Sequence, residues 1–193
     1  MLFRSVDSAL LRQRGAVAAA MDALLAVFGQ TQPRAKWRLC KIRRAFGEAS
    51  DWYREYVQFE LGRGSLEREN QMTLIALGNE LFTKLVAEVI FPGLKSVVQR
   101  TCPVLESVSR IPRLATITPL ADAFVGHSPQ PVCKLSPVAA FVWATIAHGT
   151  PQDQILDVAR HYAHPRGAAT SEINASTVVA VVRLLTERNL LTH

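Results

Sequence analysis

No run of about 18 uninterrupted apolar residues occurs in the chain, so no helix is expected to cross a membrane. Ala16 to Phe28, AVAAAMDALLAVF, comes nearest to a secretory core, but Asp22 interrupts it and no small-residue cleavage site follows in GQTQPRAKW. An amphipathic helix is expected there instead. Cysteine is scarce: Cys40, Cys102 and Cys133 are an odd number at wide spacing in apolar settings, which suits reduced thiols in the cytoplasm rather than a disulfide framework. Catalytic signatures are missing as well, with no Gly-rich phosphate loop, no HExxH and no GxSxG. His161 and His164 stand three apart with Asp157 one turn before, but nothing completes three or four metal ligands, so exposed histidines near a helix C-terminus are expected. Cys133 as a nucleophile needs nearby cations, and Lys134 points to the opposite face of a strand, so a core thiol is the expectation. No catalytic, metal or cofactor residue is therefore expected in this chain.

What remains is a chain of 193 residues, 49% apolar, long enough for one domain or two small ones around a packed core. Its formal charge of +6 sits mostly in front. Residues 1–110 carry 16 Lys/Arg against 11 Asp/Glu, and residues 111–193 carry six against five.

The front region reads as all helical, without repeats or low-complexity tracts, and is expected to pack as a bundle over 1–110. An alanine-rich helix from Ser8 to Phe28 stops at Gly29. The next helix carries Arg34, Lys36, Arg38, Lys41, Arg43 and Arg44, with Ala35, Leu39, Ile42 and Phe46 forming its apolar face. Beside Trp37, those bases suit nucleic acid, an acidic protein surface or simply a solvated face. Ser50 caps a third helix with Trp52, Tyr53, Tyr56 and Phe59, four aromatics in eight residues, which fit either a core or a partner hot spot. Arg34, Lys36, Trp37, Arg38, Lys41, Trp52, Tyr53 and Tyr56 are the expected partner-binding residues. Ser65 caps a long fourth helix with Glu67 and Glu69 in its first turn, and Pro92-Gly93 ends it. A fifth segment runs from Leu94 to Cys102.

The last stretch, 111–193, changes character. Leu114–Ile117, Ala123–Val125 and Val132–Leu135 are short apolar runs separated by Pro119, Gly126, Pro129 and Pro131, the pattern of a small meandering sheet. Ser136-Pro137 then opens a helix ending near Gly149, and Thr150-Pro151 opens a second. A third follows Ser171, with Val178, Val181, Val182 and Leu185 at i, i+3, i+4 and i+7. The expected class is α+β, mainly α: a helical N-terminal bundle followed by a winged-helix-like domain of three short strands and three helices.

The order of these elements, with KLSPVAAFVWATIAHGTPQDQILDVARHY (134–162) and TVVAVVRLLTERNLL (177–191), resembles the PqqD-like family of winged-helix peptide-binding domains. These RiPP recognition elements hold the leader of a ribosomal precursor peptide. The resemblance covers about the last eighty residues and implies a peptide paired with the third strand and lying on the third helix. Its expected contacts are Val132, Cys133, Lys134, Leu135, Val178, Val179, Val182 and Arg183, with Lys134 and Arg183 suiting an acidic leader.

A helical region in front of such a domain also resembles the MbnC family of methanobactin biosynthesis. That resemblance implies a non-catalytic subunit in a heterodimer with an iron-containing, MbnB-like enzyme, which oxidises peptide cysteines to oxazolone-thioamide groups with dioxygen. The iron is then expected in the partner. Two alternatives stand beside it: a DNA-binding winged-helix regulator, and a peptide chaperone for another modifying enzyme. Nucleic acid is the weaker partner, because the third helix offers Asn174, Thr177, Ala180, Arg183, Glu187 and Arg188, a nearly neutral set for a groove.

Overall fold

The computed structural model describes residues 3–31, 35–62, 68–102, 116–120, 123–127, 133–163 and 173–191. It is mainly helical, as the composition suggests, and divides into two compact units, Met1–Leu85 and Val86–His193. The expected boundary at residue 110 lies outside the described residues.

The first unit contains α1 (Phe3–Val27), α2 (Arg38–Phe46), α3 (Asp51–Leu61) and most of α4 (Arg68–Ile90). Gly29, at φ 77°, ends α1: its N–H and that of Gln30 return to Ala26 and Leu25 carbonyls, which satisfies acceptors the helix leaves open. A short 3-10 turn, Ala35–Trp37, leads into α2. Ser50 caps α3, its Oγ accepting from the Tyr53 N–H at 3.2 Å. The expected Ser65 cap of α4, with Glu67, lies outside the described residues. Val17, Met21, Leu24, Ile42, Phe59, Leu81 and Leu85 are buried together with Trp52 and Tyr56. Gly78 belongs to this packing, because a Cβ there would meet the Phe59 ring at 2.5 Å.

The second unit begins with the end of α4 and α5 (Leu94–Thr101). Ala87, Leu94, Val97, Val98 and Cys102 share one apolar cluster with the helices that follow. Three short strands, β1 (Thr116–Leu120), β2 (Ala123–His127) and β3 (Cys133–Leu135), form an antiparallel sheet in the order β1-β2-β3. Pro119 and Gly126, expected as breaks, instead sit within strands, opposite Phe124 and Ile117 respectively. Proline is tolerated in β1 because an edge strand does not need every N–H for the ladder.

At the centre of this unit stands α6 (Pro137–Ala147). Ser136 Oγ caps it by accepting from the Ala139 N–H at 3.2 Å, and proline fits its first turn. Every residue from Ala139 to Ala147 is buried, including Trp143 at 0% exposure, as expected of a helix apolar on all sides. It packs on β2, β3, α5, α7 (Ile155–Ala163) and α8 (Ala175–Glu187). Asn174 caps α8, its Oδ1 accepting from the Thr177 N–H at 2.9 Å. Asn189 then takes a left-handed φ of 56°, and the chain turns Leu190 and Leu191 into the core.

Candidate functional site

Two surfaces and one buried polar centre stand out, and each is built within a single unit. In the second unit, α8 divides cleanly between an inner and an outer face. Val178, Val182 and Leu185 are buried in the apolar cluster, with Thr186 returning its hydroxyl to the Val182 carbonyl at 2.9 Å. Val179, at 56% exposure, joins Ala180, Arg183, Leu184 and Glu187 along a shallow hollow on the outer face. Arg183 Nε donates to Glu187 Oε1 at 2.9 Å, so the one cation of that strip is already paired along the helix. The expected peptide contacts Val178 and Val182 are thus core residues, while Val179 and Arg183 are open to solvent. The sequence itself held the clue, because Val178 and Val182 belong to the same i, i+4 stripe as the core leucine Leu185.

The strand residues divide in the same way. Lys134 is exposed and Leu135 is buried, as alternation along a strand requires. β3 pairs with β2 on one side and stands at the end of the sheet order. Val132 lies outside the described residues, and Cys133 is described only by its backbone.

In the first unit the expected partner-binding residues separate into inner and outer sets. Trp52 (7% exposed) and Tyr56 (1% exposed) are core, with Tyr53 half-buried beside them. Positions 52, 56 and 59 are spaced i, i+4 and i+7, so three aromatics do share one side of α3 and only Tyr53 flanks it. Arg38 is also turned inward. Its Nε and Nη2 donate to the Asp22 carboxylate at 2.9 and 2.7 Å, and its Nη1 donates to Tyr56 Oη at 3.3 Å. Tyr56 in turn donates to Glu60 Oε1 at 3.0 Å. Burial pushes the Tyr56 phenol up to about 12 against the opposing pull of Arg38, while the hydrogen bond that Arg38 donates to Asp22 raises its guanidinium above the ordinary value. This fork ties α1, α2 and α3 together and removes Arg38 from the surface.

Lys36 and Trp37 are exposed, and Lys41 is half-buried. Trp37 is 49% exposed with Lys36 Nζ 5.5 Å from its ring centroid. Arg34 lies outside the described residues. Trp37, Cys40, Lys41 and Arg44 border a hollow closed by Gly29, Gln30 and Thr31 at the end of α1.

The buried polar centre was not expected. Glu88, 3% exposed, accepts the Gly93 N–H at 2.7 Å and the Lys95 N–H at 2.9 Å, which caps the start of α5 from the preceding helix. His148 Nε2 lies 3.4 Å from Glu88 Oε2. Burial works to raise the Glu88 carboxyl, but His148 and the two backbone donors outweigh it and hold it below the ordinary carboxylate value. Nothing local in the sequence couples positions 60 residues apart. His161 binds its own helix, Nδ1 lying 2.8 Å from the Asp157 carbonyl, and His164 lies outside the described residues. Among the described residues, no group of three or more His, Cys, Asp or Glu is arranged around a metal site. No helix among them is long and apolar enough to cross a membrane.

No family model, no curated protein and no solved structure matches the chain.

Proposed function

We propose that the chain is a non-catalytic, cytoplasmic peptide-presenting subunit, whose second unit acts as a winged-helix element holding a ribosomal precursor peptide for a separate modifying enzyme. The single observation that carries the reading is that one unit contains both an edge strand and an open apolar helix strip: β3 at the end of the sheet, and Val179, Ala180 and Leu184 on α8. An extended peptide adds to such an edge through main-chain hydrogen bonds and sets alternate side chains on the apolar strip. Lys134, exposed on β3, then favours an acidic leader, and Arg183 joins it where a leader carboxylate takes the place of Glu187. The resemblance to PqqD-like elements over 134–162 and 177–191 supports the same reading.

The partner in this reading is an iron-containing oxidase of the methanobactin type, forming a heterodimer and supplying the redox metal. A radical enzyme or another modifying enzyme is the alternative partner of the same class. A DNA-binding regulator is disfavoured by α8, whose outer strip offers a groove Val179, Ala180 and Leu184 and an Arg183 already tied to Glu187.

The test uses the full chain. Peptides selected on it from a random display library are measured against K134E, V179D and R183E. The reading expects acidic, extended sequences whose affinity falls at least about tenfold with V179D and with the K134E/R183E pair. Selected peptides that bind all three variants as well as the parent would remove the placement.

A further inference from the structure

The hollow on the outer stripe of α2 is not used by the peptide reading, and it lies in the other unit. Trp37, Cys40, Lys41 and Arg44 follow one another at i, i+3, i+4 and i+7, so they form one continuous stripe facing the hollow beside Gly29–Thr31. The cations of this helix are unequal. Arg38 is consumed by Asp22, and Arg43, which does not line the hollow, is paired with Glu48 at 3.2 Å. Among the described residues, Lys41 and Arg44 have no carboxylate partner. Their charges therefore face outward beside an exposed indole, and Phe28, 45% exposed, packs edge-on against Phe46 at 5.0 Å behind the same corner of the unit.

We infer that this hollow is a docking site for an acidic amphipathic helix of a partner protein, with an apolar side chain set on Trp37 and carboxylates one helical turn apart meeting Lys41 and Arg44. The chemistry of the site selects this occupant over nucleic acid. A phosphate backbone is held by a ladder of several cations, and a single strand by successive aromatic platforms. Among the described residues of this corner, Lys36, Lys41 and Arg44 are left for phosphates, and Lys36 already stands over the Trp37 ring. A Trp anchor flanked by a few cations is instead the composition of a protein hot spot. The inference does not draw on the peptide reading of the second unit and survives its failure.

The indole is also the reporter. Trp52 and Trp143 are buried, so collisional quenching by acrylamide reads Trp37. The probe is a short helical peptide carrying a leucine stripe flanked by glutamates at i and i+4, compared with the same peptide with glutamine for glutamate and with a short oligodeoxythymidylate. The glutamate peptide is expected to shield Trp37, with at least about tenfold tighter binding than the glutamine form and at least about tenfold loss in K41E/R44E, since two attractions become repulsions. R43E is expected to bind like the parent, because Arg43 does not line the hollow and is paired with Glu48. K41Q/R44Q, which adds no new charge, repeats the test if the reversed variant melts early. Failure of the glutamate peptide to shield Trp37, equal binding by K41Q/R44Q, or shielding by the oligonucleotide instead would each overturn the inference.

Discussion

Replacing Arg38 with alanine removes the guanidinium that holds three helices of the first unit together. The side chain is 15% exposed, its Asp22 partner 33%, and their two bonds are 2.7 and 2.9 Å long. An exposed pair contributes about 0–1 kcal/mol, and breaking a fully buried one costs about 3–5 kcal/mol. Arg38 and Asp22 fall between these limits, because water still reaches Asp22. Tyr56 is not orphaned either, since its hydroxyl keeps Glu60 as acceptor. A loss of about 2 kcal/mol follows, equivalent to a fall in Tm of about 4–8 °C for a chain of this size. R38K keeps the charge but not the planar fork, and is expected to lose about half as much. Thermal melting followed by circular dichroism reads both, with R44A at an exposed position as a control expected within about 0.5 kcal/mol of the parent. An R38A protein that melts with the parent would refute the inward placement of Arg38 and return it to the partner surface.

Other substitutions test the packing and the buried polar groups. G78A puts a Cβ 2.5 Å from the Phe59 ring and 2.6 Å from the Gln13 amide carbon. Overpacking costs about 1–3 kcal/mol against a helix-propensity gain of about 1 kcal/mol, so chemical denaturation should report a net loss near 1 kcal/mol. G15A, with nothing within 4 Å, should instead stabilise α1 by about 0.5–1 kcal/mol. Glu88 is held below its ordinary value in the folded chain, so its contribution to stability is present above about pH 4.5 and is lost as pH falls through the lowered folded value. E88Q should be less stable than the parent at neutral pH, and the gap should close in acid melts. Cys40 is exposed, whereas Cys102 is buried and its thiol is raised, first by burial and then by Asp153 and Asp157. Iodoacetamide in the native state should therefore label Cys40 ahead of Cys102, as read by peptide mass mapping.

Local punctuation made much of this architecture legible. Ser50, Ser136-Pro137, Gly29 and Pro92-Gly93 mark helix ends because capping and left-handed turns are decided by neighbours a few residues away. The core stripe of α8 was equally clear from its valine spacing. Long-range pairings were not legible: Asp22 with Arg38, Gln13 with Asn79, and Glu88 with His148 are set by how helices meet, which periodicity does not encode. The same limit explains the candidate sites. Charge density made Arg38 look like a surface residue equal to Lys41, and only the position of Asp22 separates them. Tryptophan content pointed to Trp37 and Trp52 alike, yet Trp52 lies on the buried stripe with Tyr56 and Phe59 while Trp37 sits in the short turn before α2.

The most direct measurement is purification of the tagged chain from its native host, with mass spectrometry and metal analysis of what accompanies it. The adaptor account predicts a stoichiometric second protein that carries iron, together with a small cysteine-containing peptide released when Val179 is changed to aspartate. Recovery of nucleic acid alone, shed by moderate salt, would contradict it and make the chain a regulator instead.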